Sequence, residues 1–313
     1  MKERTLTSIG FVTVLILAFV LKVYVSDYFF DALLAFICVY ATYEFTKIYA
    51  KMGKYNNQDV AILFAGILCL LIVFTFIPLG LYSILVAAAL VVFAGIVAFL
   101  KEIIFVQSAN AEMRIRGLQI SKKKFAFVKA INTVFTLVYP ALLFSMMFLL
   151  NHFEAFVGEE SAFENMSLFV LLFAFLIPIF TDTFSMLVGT AIGGKKLCPK
   201  ISPNKTISGS VGGTLCCVAL CAVIFLLCNQ FENVAILLIS INLGISNIWK
   251  LLIIVLFGSI ISQLGDILES YFKRKAGVKD SGNVLPGHGG ILDRFDSYIF
   301  VAPYVLIAFL ILF

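Results

Sequence analysis

The sequence has 313 residues, of which 62% are hydrophobic and 13% are charged. A soluble globular domain is roughly half apolar and about one quarter charged, so this composition excludes an ordinary soluble domain and indicates a chain solvated by lipid. Apolar runs recur from end to end, which favours one membrane domain. The net charge of +5 comes from short basic clusters between these runs, which favours phosphates or anionic lipid headgroups and excludes nucleic acid as a partner.

Nine apolar segments approach the length that a helix needs to cross a bilayer core of about 30 Å, roughly 20 residues. We therefore predict an all-α, polytopic transmembrane helix bundle of about nine spans. The predicted spans are 8–25, 29–49, 60–77, 81–100, 128–150, 167–188, 209–228, 249–269 and 298–313. The apolar stretch 234–245 is too short to span unaided, so it either extends the seventh span or re-enters the membrane.

The basic residues predict the orientation, because Lys and Arg stay on the cytoplasmic side of a membrane. They lie at the N-terminus and after the second, fourth, sixth and eighth spans, whereas an opposite loop carries Glu159 and Glu160. We therefore expect a multi-pass integral membrane protein with a cytosolic N-terminus and cytosolic polar loops, in the cell membrane if the source is bacterial. We expect N-terminal transmembrane helices over 1–126 and a catalytic region over 127–313, with cytosolic loops at 189–208 and 270–297.

The first of these loops, 189–208, is rich in glycine and lysine and has no carboxylate. Glycines let the backbone approach a ligand closely, and lysines act as point charges for phosphate. Asp182 precedes the loop near the end of the sixth span. The same composition also suits positive-inside lysines combined with helix-packing glycines. A P-loop is disfavoured because no GxxxxGK[ST] sequence is present.

The second loop alternates acidic and basic side chains. Its carboxylates are Asp266, Glu269, Asp280, Asp293 and Asp296, and its cations are Lys273, Arg274, Lys279 and Arg294. Hard carboxylate oxygens suit Mg²⁺, which often binds through one or two carboxylates plus substrate phosphates. We expect a Mg²⁺ site here, another divalent cation being possible, with the basic residues holding the remaining phosphate charge.

The stretch 262–296 resembles the C-terminal signature of the CDP-diacylglycerol synthase family, also called phosphatidate cytidylyltransferase. Residues 270–296 match the pattern S-x-x-K-R-x4-K-D-x-G-x-x-x-P-G-H-G-G-x-x-D-R-x-D. The segment 182–213 resembles the family's D-T-x-A-Y-x-x-G and S-P-x-K-T-x-E-G-x-x-G-G motifs, with Met186 where the family usually has Tyr and Ser208 where it usually has Glu. The first four spans match only as generic apolar helices.

The resemblance implies that CTP and phosphatidic acid react to give CDP-diacylglycerol and pyrophosphate. Two polyanions must be positioned against each other, so most of the catalysis should be electrostatic. By similarity to the family, Asp266 and Asp293 would hold the divalent metal, with Asp296 close by as a ligand or a neighbour of one.

The resemblance also implies contacts to the substrates. Lys273, Arg274, Lys279 and Arg294 are candidates for phosphate contacts, while Ser202, Lys205 and Thr206 are candidates for the nucleotide or lipid phosphate. Further candidates for substrate binding are Asp182, Ser270, His288, Gly289 and Gly290. His288 is either a catalytic acid or part of a tight turn, since glycines flank it.

One further carboxylate, Glu44, lies within the second span. It either lines a polar cavity or extends towards Lys47, one turn along the helix.

Other functions remain open from the sequence. A lipid kinase that uses CTP would share the cations and carboxylates, and Ser208 in place of a carboxylate also suits a catalytically weakened paralogue. A transporter is expected to show two related halves with interrupted helices, and the sequence shows no such repeat. A homodimer is possible.

Overall fold

The computed structural model describes residues 2–80, 82–105, 112–113, 121–157, 166–230, 244–284 and 289–313. Within these ranges the main helices are α1 (Lys2–Tyr24), α2 (Asp27–Lys51), α3 (Gln58–Leu79), α4 (Tyr82–Ile104), α5 (Lys122–Thr136), α6 (Met146–Asn151), α7 (Phe153–Val157), α8 (Met166–Ile192), α9 (Ile207–Gln230), α10 (Ile248–Lys275) and α11 (Leu292–Leu312). Strands β1 (Lys196–Cys198) and β2 (Ser202–Thr206) lie between α8 and α9.

The predicted helical membrane architecture is confirmed. Eight helical segments in the described part of the chain are long and apolar enough to cross a membrane, and they cover the second to ninth predicted spans. Helix α1 covers the first predicted span. Most of the stretch 234–245 lies outside the described residues. The cytosolic position of the N-terminus stays a prediction.

The all-α bundle is confirmed, and the loop 189–208 adds a short hairpin to it. Strands β1 and β2 form an antiparallel hairpin there, with Lys196 opposite Thr206 and Cys198 opposite Ser202. The amide of Ile201 donates to the carbonyl of Cys198 over 3.1 Å and closes the turn. The basic loop is therefore a folded hairpin that directly precedes helix α9.

The chain forms two compact units, of which unit 1 comprises Met1–Ser145 and Phe272–Asp293. Phe272, near the end of α10, is buried against aromatic residues of this unit: its ring centroid lies 5.2 Å from that of Phe45 and 5.5 Å from that of Tyr139. Tyr139 and Pro140 interrupt the regular helical backbone after α5, where Pro140 removes an amide donor. Packing of Phe272 therefore fixes the start of the segment 272–293.

Unit 2 comprises Met146–Tyr271 and Arg294–Phe313. Helices α8 and α9 approach closely because α9 carries glycines at the contact: a Cβ at Gly212 would clash with Val188, and one at Gly213 would clash with Ser185. Small residues allow this kind of close backbone approach between membrane helices. The predicted boundary at residue 126 is a functional division that these compact units do not test.

Candidate active site

In unit 2, residues from both predicted loops come together. Lys205 of β2 forms an ion pair with Asp266 of α10, and the two side chains are 25% and 24% exposed. Asp182 of α8 is exposed and lies within electrostatic range of Asp266, Lys205 and Arg294. The hydroxyl of Ser270 donates to Asp266 Oδ1 over 3.3 Å. Four predicted site residues thus form one partly accessible polar cluster, which we call the Asp266 cluster (Asp182, Lys205, Asp266 and Ser270).

A chain of polar side chains fixes the helices beneath this cluster. Thr181 Oγ1 donates to Ser259 Oγ over 2.9 Å, and Ser259 Oγ donates to Thr214 Oγ1 over 3.0 Å. Gln263 Nε2 also donates to Thr214 Oγ1 over 2.9 Å. These bonds join α8, α9 and α10, and Gln263 lies only three residues before Asp266. The backbone that carries Asp182 and Asp266 is therefore held by interhelical hydrogen bonds.

The hairpin residues predicted to bind substrate differ in their local roles. Thr206 Oγ1 accepts the amide of Gly209 over 3.1 Å and so caps the N-terminus of α9. Ser208, at the position where the family usually has Glu, donates its hydroxyl to the carbonyl of Gly193. Ser202 lies at the start of β2. Ser208 is therefore used to fix the base of the hairpin, while substrate contacts by Ser202 and Thr206 stay predictions.

Asp296 and Arg294 belong to the first turn and a half of α11. The backbone of Asp296 packs against Gly265, the neighbour of Asp266, where an added Cβ would lie 2.9 Å from the Asp296 carbonyl oxygen. The Asp296 carboxylate is buried and accepts the amide of Ser297 over 2.6 Å. Arg294 is exposed. Gly265 thus allows α11 to approach α10 beside Asp266, while a role for the Asp296 carboxylate at the metal stays a prediction.

In unit 1, a second group of predicted residues surrounds Asp293. Lys273 Nζ donates to Asp293 Oδ1 over 2.7 Å, and these side chains are 11% and 5% exposed. Asp293 Oδ2 accepts the backbone amides of Ser281 over 2.9 Å and Gly290 over 2.8 Å. Both oxygens of this carboxylate are therefore engaged by the protein itself.

Glu44 belongs to the same group, a place that the sequence did not reveal. It is buried in α2, and its Oε2 accepts the amide of Leu292 over 2.7 Å and the hydroxyl of Ser281 over 3.1 Å. Lys47 bonds to Tyr43 rather than to Glu44. The only available signal was a carboxylate inside an apolar span, because its partners lie more than two hundred residues away in the sequence. We call Glu44, Ser281, Gly290, Leu292 and Asp293 the Glu44–Asp293 clamp.

The remaining predicted residues of this segment are Arg274, Lys279, His288 and Gly289. Arg274 and Lys279 are exposed, and Gly289 has a φ of +85° that favours glycine. His288 lies outside the described residues.

Two carboxylates near each other in unit 2, Asp182 and Asp266, suit the donor preference of Mg²⁺. Over the described residues, no group of three or more His, Cys, Asp or Glu side chains could hold a metal by itself. A Mg²⁺ bound through one or two carboxylates, with substrate phosphates and water completing its coordination, stays a prediction. The joint binding of one metal by Asp266 and Asp293 stays a prediction, since the two residues belong to different units.

Comparison with known proteins gives a consistent result. A model described as "Cytidylyltransferase family" matches residues 2–312. A protein of Staphylococcus haemolyticus named "Phosphatidate cytidylyltransferase" is 40% identical over 184 residues, which cover 59% of this chain and 60% of the relative. A protein of Staphylococcus aureus with the same name is 41% identical over 185 residues, with the same coverage. The matched part of the chain thus spans 60% of the length of these relatives.

Proposed function

The chain belongs to the cytidylyltransferase family, and from that premise we propose that it transfers CMP from CTP to phosphatidate, giving CDP-diacylglycerol and pyrophosphate for phospholipid synthesis. The observation that carries this proposal is the partly exposed Lys205–Asp266 ion pair with Asp182 beside it. A cation and two carboxylates at an accessible position can bind a metal-complexed nucleotide, and the names of the relatives supply the two substrates.

The reaction requires one bond to form and one to break. An oxygen of the lipid phosphate attacks the α-phosphorus of CTP, and the bond from that phosphorus to the oxygen bridging to the β-phosphate breaks, so pyrophosphate leaves. A phosphate monoester carries between one and two negative charges at neutral pH, so the attacking oxygen needs no general base. The protein therefore has to position the two anions and offset their charge.

Within this proposal the Asp266 cluster receives the nucleotide. Lys205 Nζ is itself buried beside the partly exposed Asp266 carboxylate, so we propose that it exchanges Asp266 for a phosphate oxygen when the nucleotide enters the cluster. Asp266, with Asp182 nearby and Asp293 as the second ligand implied by the family, would hold Mg²⁺. When bound, Mg²⁺ offsets the charge of the triphosphate and stabilises the charge that develops on the leaving group.

Three of the cations that the family resemblance implies for phosphate contacts, Arg274, Lys279 and Arg294, are exposed, so a phosphate can reach each of them from solvent. Lys273 already pairs with Asp293, so it first fixes that carboxylate and contacts substrate only if the pair opens. The bilayer supplies phosphatidate, and we propose that CTP arrives from the cytosol.

The position of the label in CTP tests this function. Purified protein is incubated with phosphatidate, Mg²⁺ and CTP labelled at either the α- or the γ-phosphate, and the lipids are then extracted. We expect lipid label from α-labelled CTP and pyrophosphate label from γ-labelled CTP. Lipid labelled from the γ-phosphate would show a CTP-dependent lipid kinase instead. No labelled lipid, when a staphylococcal relative prepared in the same way is active, would indicate a weakened paralogue.

A further inference from the structure

The segment that joins α10 to α11 is held at two places by a carboxylate from another helix. Glu44 of α2 bonds to Ser281 at one flank of the segment and to Leu292 at the other. Asp293 bonds to the amides of Ser281 and Gly290. Each of the two carboxylates therefore bonds to both flanks, 281–282 and 290–292.

Glu44 accepts the first amide of α11 in place of an N-cap side chain. The first amides of a helix lack partners within the helix, and a Ser, Thr, Asp or Asn at the N-cap position usually supplies one acceptor. Ile291 occupies that position before α11 and has no polar side chain to offer. Glu44 Oε2 accepts the amide of Leu292 instead, over 2.7 Å. A carboxylate at this end of the helix is also favoured by the helix dipole.

Two glycines make room for Glu44. A Cβ at Gly282 or at Gly290 would clash with the Glu44 carboxylate, and one at Gly290 would also clash with Ser281 Oγ. The two glycines thus explain why this acidic side chain fits, with only 2% of its surface exposed. A buried carboxylate is costly unless it is hydrogen-bonded, so its position depends on these contacts.

We infer that Glu44 is a positioning residue, which holds the flanks 281–282 and 290–292 together, and with them Gly289, in the arrangement that binds substrate phosphate. The expected effect on CTP binding rests on the proposed cytidylyl transfer. The expected effect on the position of the two flanks does not. Glu44 acts by accepting hydrogen bonds from Ser281 and Leu292. Its negative charge does not act on the substrate.

Replacing Glu44 by Gln distinguishes a role in accepting hydrogen bonds from a role of the negative charge. In Glu44→Gln the side-chain carbonyl can still accept the amide of Leu292 and the hydroxyl of Ser281, whereas Glu44→Ala removes both acceptors. Glu102 of α4 provides a matched control, because it is also buried in unit 1, at 4% exposure, but pairs with Lys129 rather than with the clamp. Lys129 keeps Glu112 as a partner when Glu102 is replaced.

Hydrogen exchange of the peptide covering 281–292 is measured in the full-length protein, together with kcat and KM for CTP. For Glu44→Ala we expect exchange about tenfold faster or more, and a KM for CTP about ten- to hundredfold higher, as the loss of a charge-assisted hydrogen bond implies. Glu44→Gln should keep the exchange rate and the KM for CTP within about fivefold of the parent values, since neutral hydrogen bonds are roughly half as strong as charged ones. Glu102→Ala should leave exchange of this peptide unchanged.

Two results would overturn the inference. Parental exchange in Glu44→Ala would show that no clamp exists, and a Glu44→Gln variant as inactive as Glu44→Ala but with parental exchange would show that the charge itself acts on the substrate. If Glu44→Ala does not fold, Ser281→Ala still tests the clamp, because it removes one bond and should raise exchange by a smaller factor. If the parent makes no cytidine-bearing lipid, the proposed function fails while the exchange comparison still decides the role of Glu44.

Discussion

The Asp266 cluster of unit 2 and the Glu44–Asp293 clamp of unit 1 use the same residue types in different surroundings. Lys205 and Asp266 are about one quarter exposed, whereas Lys273 and Asp293 are 11% and 5% exposed. Asp266 has a lysine and one serine hydroxyl as described partners, but Asp293 also holds two backbone amides. An exposed ion pair contributes little to stability and can exchange partners, while a buried one is costly to break.

This difference separates two kinds of acidic residue within one sequence signature. Where a carboxylate is partly exposed, its replacement should impair ligand binding and spare the fold. Where a carboxylate is buried and holds backbone amides, its replacement should also lower stability. The variants below therefore each require turnover and the thermal midpoint to be measured on the same purified sample.

Asp266→Asn should have the largest effect on turnover. It keeps the volume of the side chain but removes the charge that a divalent cation requires, so we expect turnover to fall on the order of a thousandfold or more. The thermal midpoint should fall less than in Asp293→Asn, since the Asp266 side chain is about a quarter exposed whereas that of Asp293 is 5% exposed. Asp59→Asn, in an exposed pair with Lys101, serves as the control and should keep parental turnover. Near-parental turnover of Asp266→Asn at saturating Mg²⁺ would contradict this role.

Asp293→Asn should have the largest effect on stability. The change removes the negative charge from the buried Lys273–Asp293 pair, which should cost about 3 kcal/mol and lower the thermal midpoint clearly. Turnover should fall as well. An unchanged midpoint would mean that the Lys273–Asp293 pair is not buried in solution.

The double variant of Asp266 and Asp293 shows whether the two carboxylates act on one metal. If they do, turnover of the double variant should be little worse than that of either single variant, because residues acting as one unit are strongly non-additive. If Asp293 acts only through the clamp, the two losses in activation free energy should add. The four turnover numbers of this cycle distinguish the two cases.

Lys205→Ala should have an intermediate effect. It removes one proposed phosphate contact of about 1.5–3 kcal/mol, which corresponds to a roughly ten- to hundredfold loss in kcat/KM. Added salt should reduce the difference from the parent only weakly, because the Lys205 ammonium nitrogen is buried. Lys200→Ala, at the exposed turn of the same hairpin, should stay near the parent. Equal losses in both variants would indicate a general effect of hairpin charge.

Ser208→Glu should have the smallest effect. If a carboxylate at this position helps to place the ligand, activity should rise or the Mg²⁺ requirement should fall by a few-fold, but the change also removes the hydroxyl that bonds to Gly193. Ser208→Ala removes the hydroxyl without adding a carboxylate, so it measures the loss of the bond to Gly193 alone. Identical Mg²⁺ titrations for Ser208→Glu and Ser208→Ala would show that the carboxylate adds nothing at this position.

Most of the membrane fold could be predicted because length and apolarity define a spanning helix without reference to its neighbours. The β1–β2 hairpin was missed because its lysines and glycines suit a loop equally well. Lys205 and Asp266 form an ion pair, and the two sequence motifs that contain them were already expected to share a site. Glu44 was not assigned to the site because its partners come from a distant part of the chain, and hydrophobic periodicity carries no information about such a contact.

Ligand-induced stabilisation tests the central claim, that the Asp266 cluster binds the metal-complexed nucleotide. The thermal midpoint of the parent, of Asp266→Asn and of Asp293→Asn is measured with Mg²⁺ alone and with Mg²⁺ and CTP. At a CTP concentration about one hundred times its dissociation constant, the parent should gain about 2.7 kcal/mol of stability. Asp266→Asn should gain almost nothing over its own midpoint without CTP. A full CTP-dependent gain in Asp266→Asn would contradict the account.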